Sequence, residues 1–258
     1  MPFSEVADRV WVRRVPSYDV NLTVVGGERG LVVVDTLATD AEARAAIAAV
    51  ERLGAGSVVA LVNTHDHFDH VLGNAAFRER YGQLPVYATE EAAARTDPAA
   101  PPADRTFASA AVIDLGNRQL ELVHLGRGHT AGDLVARVPD ADVLLAGDLV
   151  EESAPPALGE DSWPLEWPQT LDLLLGLTTT ATLVVPGHGA VVDRGFVERQ
   201  CDDLRAVAET IRELAGRGVP PQDALDSSDW PFPREVLRQA VERGYAQLPR
   251  ARRQLPLA

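Results

Sequence analysis

The chain has one cysteine, Cys201, and no lysine, so all 24 of its positive charges are arginine. Aromatic residues make up 5% of its 258 positions. No apolar run reaches the ~18–20 residues that span a bilayer, which argues against a membrane protein. A single cysteine excludes an intramolecular disulfide framework. The N-terminal residues, Met1 to Asp8, are acidic and carry no apolar stretch, so they do not read as a secretory signal, and a cytoplasmic location is expected. Positive charge is also in deficit: 38 acidic residues against 24 arginines give a net charge of −14. Phosphate backbones are held by clustered Lys and Arg. The densest basic spot, Arg250 to Arg253, is read as a solvated tail, and nucleic acid is excluded as a partner.

What is present is core material. Hydrophobic residues make up 46% and charged residues 24% of the chain, the balance of a globular protein. Short β-branched runs recur at Val10–Val15, Asn21–Val25, Leu31–Asp35, Val58–Val62 and Pro85–Ala88. They recur again at Ala110–Asp114, Gln119–Leu125, Leu134–Val138, Val143–Ala146 and Thr182–Val185. Helices are predicted from Thr39 or Asp40 to about Leu53, over Asn74–Tyr81, Glu90–Arg95 and Gln169–Leu177, and near Phe196–Ala215 and Arg234–Leu248. This mixture predicts an α/β fold with two mixed β-sheets face to face and helices outside. We read one domain over 1–258, with halves of about 1–115 and 116–195 and C-terminal helices over 196–258. Those helices would cover the sandwich or form a homodimer face.

The chemistry concentrates in the histidines. Three of the six fall in His65-Asp66-His67-Phe68-Asp69-His70, directly after an apolar strand. Imidazoles with one carboxylate suit Zn²⁺ or Fe²⁺. His129, Asp148 and His188 each follow a short apolar strand and have a glycine beside them, so four strand ends could meet in one cleft. His124 alternates with Leu120 and Leu122 and reads as a packed histidine. Cys201 falls at helical spacing with Leu204, Ala208 and Ile211 and reads as core.

The ordered set HxHxDH, GHT, GD and PGHG resembles the metallo-β-lactamase superfamily. The resemblance implies a four-layer αβ/βα sandwich with a two-metal site at one sheet edge. It implies His65, His67 and His129 on one ion, Asp69, His70 and His188 on the other, and Asp148 between them. The ions are expected to be two Zn²⁺ per chain, with Fe or Mn as alternatives. The implied activity is hydrolysis of an ester, thioester, lactone or amide carbonyl of a small molecule by a metal-bridging hydroxide. Asp69 would orient that hydroxide and shuttle a proton.

Asp35 and Asp66 are candidate acceptors for the second ring nitrogens of the ligands. Trp163 and Trp167 would either wall the substrate pocket or anchor the Glu151–Pro168 loop, and Phe68 would shape its mouth or pack beneath it. Asp161 and Glu166 read as solvated or capping residues. Arg127, beside His129, could hold a substrate carboxylate in the absence of lysine. Three alternatives stand beside the hydrolase: a mononuclear iron persulfide dioxygenase using two His and one Asp, a cytoplasmic β-lactamase-like enzyme, and a non-catalytic metal-stabilised interaction protein.

Overall fold

The computed structural model describes residues 2–249. The basic Arg250–Arg253 stretch therefore lies outside the described residues. The chain runs β1 (Ser4–Ala7), β2 (Val10–Val15), β3 (Val20–Gly27), β4 (Gly30–Val34), α1 (Asp40–Leu53), β5 (Val58–Val62), α2 (Phe68–Val71), α3 (Asn74–Tyr81), β6 (Val86–Thr89) and α4 (Glu90–Arg95). It continues with β7 (Arg105–Phe107), β8 (Ala110–Asp114), β9 (Gln119–Val123), β10 (Val135–Val138), β11 (Val143–Glu151), α5 (Trp167–Leu175), β12 (Leu183–His188), α6 (Arg194–Gly216), α7 (Pro221–Ala224) and α8 (Arg234–Gln247).

Strands β4 to β7 are parallel, and β3, β2 and β1 add antiparallel beside β4. In the second sheet only β11 and β12 run parallel, and β10, β9 and β8 continue antiparallel. The two mixed sheets meet at one residue pair, His188 opposite Val20 on β3.

Side-chain alternation builds the layers. On β4, Val32 and Val34 point into the core between the sheets, while Leu31 and Val33 point out against Ile47 and Val50 of α1 and Phe77 of α3. On β11, Val143 and Leu145 join the central core, and Leu144 joins α5, α6 and α8 outside. Strands buried on both faces read as continuous apolar runs for this reason. The order is helix, sheet, sheet, helix, the four-layer αβ/βα sandwich. Thr39 caps α1 by accepting from the Glu42 amide, and Gly54 closes it in the left-handed region.

β11 and β12 are longer than the sequence predicts. They carry Asp148 and His188 inside the ladder instead of beyond the strand ends. Gly147, at φ +53°, lets β11 shift register after Leu145 and resume pairing. Helix α5 likewise begins two residues earlier than predicted, at Trp167. The short elements β1, α2, β7 and α7 have no strong period and were not predicted.

Candidate metal centre

The sandwich brings the ligand types to one edge. His65 and His67 leave β5, Asp69 and His70 sit on α2, His129 lies between β9 and β10, and Asp148 and His188 lie on β11 and β12. They form two groups. In one, His65, His67, His129 and Asp148 each offer an atom within 4.8 Å of the others; in the second, Asp69, His70 and His188 do the same. Asp148 lies between them. One of its oxygens is 3.4 Å from His129 Nε2 and 3.2 Å from His188 Nε2, and the other is 3.3 Å from His70 Nε2. Gly187 permits this arrangement, since a Cβ there would fall 1.7 Å from an Asp148 carboxylate oxygen.

Each ring is oriented from behind. His70 Nδ1 donates to Asp35 at 2.8 Å, and Asp35 itself accepts from the amide and hydroxyl of Thr64, both at 2.8 Å. His65 Nδ1 donates to the Thr64 hydroxyl at 3.1 Å. His188 Nδ1 donates to the Tyr18 carbonyl at 2.6 Å, and His129 Nδ1 to the Ala157 carbonyl at 3.1 Å. His67 differs in using Nε2, which donates to Asp161 at 3.0 Å. All five imidazoles therefore turn their remaining nitrogen inward, as second-partner hydrogen bonds do for ligating histidines.

The inward atoms suit a cation. His65 Nε2 and one Asp148 oxygen are buried with no hydrogen-bond partner, which is costly unless something binds there. His67 Nδ1 and His129 Nε2 face each other at 2.8 Å, so two lone pairs would collide unless a proton or a cation lies between them. The protonation directions differ between the rings. Burial drives His65 well below its usual value and His129 down to about 4, leaving both as neutral donors. Burial opposes charge on His188 as well, but the Asp148 carboxylate overrides it and lifts His188 to about 9. Burial would also raise Asp148, yet His70, His65 and His188 hold it well below the usual carboxylate range.

Two acidic residues at the site were missed or misread. Asp161 is not a solvated or capping residue but the acceptor for His67. Glu151 is buried, takes the Ala157 amide at 2.9 Å and lies 3.9 Å from His129 Nδ1. Burial and then the Asp148 charge push its carboxyl up to about 8. Its place three residues after Asp148 was the only signal available. Of the two predicted acceptors, Asp35 holds the His70 ring, whereas Asp66 bonds none of the imidazoles among the described residues.

Trp167 is not a pocket wall. It is fully buried, its ring lies 5.7 Å from that of His129, and its indole N–H donates to the Leu149 carbonyl. Trp163 is half-buried with the Arg127 guanidinium 3.8 Å above its ring, and Arg127 is held by both oxygens of Glu166. Phe68 is 44% exposed and meets the exposed Tyr18 ring edge-on. His124 lies outside both donor groups, with Nδ1 donating to the Asp133 carbonyl at 2.7 Å. Cys201 is buried in the outer core beside α5, and burial lifts its thiol to about 11.

A sandwich with two histidine–aspartate donor groups at its edge defines a metal-binding class of fold, and the comparisons give its family. The model of the metallo-beta-lactamase superfamily matches residues 16–199. The chain belongs to that superfamily and is a hydrolase. It is 30% identical over 211 residues to a metallo-beta-lactamase type 2 of Bacillus cereus, covering 78% of this chain and 82% of the relative. It is 29% identical to a hydroxyacylglutathione hydrolase of Rhizobium meliloti, covering 74% of each. The solved metallo-beta-lactamase of Pontibacter korlensis superposes with a TM-score of 0.70 at 25% identity, over 79% of this chain and 98% of that one.

Proposed function

We propose that this hydrolase is a dinuclear zinc enzyme acting on the ester, thioester, lactone or amide carbonyl of a small molecule. The observation that carries the reading is the pair of adjacent donor groups, with Asp148 of the first within 3.3 Å of His70 and 3.2 Å of His188 of the second, and with buried atoms that have no protein partner. His65, His67 and His129 would hold one ion, Asp69, His70 and His188 the other, and Asp148 would serve both. When bound, the ions supply Lewis acidity and lower the pKa of water.

The chain's own groups supply the rest. An Asp69 oxygen stands 3.5 Å from His188 Nε2 and 3.8 Å from His70 Nε2, where it can orient water and accept and return its proton. The side chain of His67 is 31% exposed and Phe68 beside it is open, so substrate would approach from this side. One relative is named a lactamase and another an acylglutathione hydrolase, which supports an acyl carbonyl as the target without choosing between amide and thioester. The net charge of −14 favours a small molecule over nucleic acid.

Metal analysis of the purified chain, with turnover on a panel of thioester, lactone and β-lactam substrates, tests the reading. Two equivalents of zinc and turnover that drops about 10²–10⁴-fold in Asp69→Ala, with the fold intact, are expected. One equivalent of iron would point instead to the dioxygenase alternative. Zinc uptake without turnover on any acyl substrate would leave a binding protein.

A further inference from the structure

The family match ends at residue 199, yet the C-terminal helix α8 reaches the loop that lies behind the candidate metal centre. Its contact is with the loop between β11 and α5. Arg243 Nε and Gln247 Nε2, one turn apart, both donate to the Ser162 carbonyl, at 3.1 and 3.0 Å. Ser162 is fully buried and stands between two residues of consequence. Asp161, before it, accepts from His67. Trp163, after it, has the guanidinium of Arg127 at 3.8 Å and that of Arg243 at 5.4 Å from its ring centre. The Trp163 amide donates at 2.8 Å to the carbonyl of Gly128, the neighbour of His129. The loop is thus clamped at Ser162 and Trp163, with Asp161 projecting from the clamp onto a metal ligand.

We infer that Arg243 and Gln247 of α8 are positioning residues for the first metal position, acting through Ser162 and Asp161 on His67. The chemistry is one of tautomers. His67 is the one ligand among the five imidazoles that turns Nδ1 inward. It can do so only while Nε2 carries the proton, and Asp161 is the acceptor that keeps it there. Asp161 sits in a loop, and its side chain is 25% exposed, so its position depends on what holds the loop. Cation–π stacking and two hydrogen bonds on one carbonyl supply that hold. The remainder of α8 packs through Leu237, Ala240 and Val241 into the outer core. Those contacts would persist without Arg243 or Gln247.

The inference rests on the dinuclear reading for its metal arm but not for its second arm. In the first arm, zinc is titrated into the metal-free full chain against a chromophoric chelator. Asp161→Asn is expected to weaken one of two zinc affinities about 10–100-fold, and the Arg243→Ala/Gln247→Ala double variant to weaken the same one by about 3–10-fold. The other affinity stays unchanged. Arg243→Lys, which can still donate to Ser162, recovers most of the loss. In the second arm, the His67 Nε2 proton is followed by NMR in the metal-free chain. It is expected to be protected from exchange in the unaltered protein and to exchange faster in the double variant. Equal weakening of both zinc affinities, or an unchanged His67 proton, would overturn the inference. A chain that takes up fewer than two zinc ions would count against the dinuclear reading alone, and the NMR arm would still decide this one.

Discussion

The two donor groups are supported in different ways. His70 and its partner Asp35 have side chains 0% and 4% exposed, and Asp35 is pinned by Thr64 at the start of the ligand motif. His188 leans on a backbone carbonyl at the junction of the two sheets. His67 and Asp161 are 31% and 25% exposed, and Asp161 belongs to the loop after β11. His129 leans on the same loop, through Ala157. One group is therefore built on the sandwich and the other partly on a loop held in place from outside. Ligands on regular elements are fixed by packing, whereas ligands on a loop are only as well placed as the anchors of that loop. The group braced by the sandwich is expected to be robust and the loop-borne group adjustable.

The largest expected effect comes from removing the deep brace. Asp35→Ala leaves His70 Nδ1 and the Thr64 donors buried without an acceptor. Each such group costs about 1–3 kcal/mol. Thermal unfolding should show a clear loss of Tm, and zinc affinity at the second position should fall by about 10–100-fold. If Asp35→Ala melts like the unaltered chain, the contrast between sandwich-braced and loop-borne groups is wrong.

A middle-sized effect concerns pH in the metal-free protein. Folding raises His188 from 6.5 to about 9 and Glu151 from 4.5 to about 8. Over that interval the folded state keeps protons that the unfolded state has released, so stability falls as pH rises. Melts from about pH 6.5 to 9 should show a declining Tm that flattens once zinc takes the place of the proton on His188. A rising Tm would contradict the pairing of His188 with Asp148.

The smallest expected effect is at His124. Its Nδ1 bonds the Asp133 carbonyl, and the ring stands apart from both groups. His124→Ala should leave zinc stoichiometry intact and zinc affinity within about threefold, whereas loss of an ion would make it part of the centre.

Much of this arrangement was legible in the sequence because its signals are local. An apolar strand followed by a polar turn with glycine beside it can be read one segment at a time. His129, Asp148 and His188 stand out in that way, and His65, His67 and His70 stand out as one polar run directly after an apolar strand. Asp161 does not, because its role depends on a loop folding back 94 positions along the chain to meet His67. Trp167 reads from sequence as either a pocket wall or a loop anchor, because a loop tryptophan carries no mark of burial. Only packing against Leu149 and His129 encloses it.

The two-sheet architecture and the order of the candidate donor residues were readable from the sequence, since these follow from period, composition and spacing. Which nitrogen each imidazole turns inward, and that Asp161 stands behind His67, came only with the tertiary structure. It alone made a C-terminal helix hold the loop behind His67. Those features are set by hydrogen-bond partners far apart in the chain, and a linear pattern has no means of expressing distance across a fold.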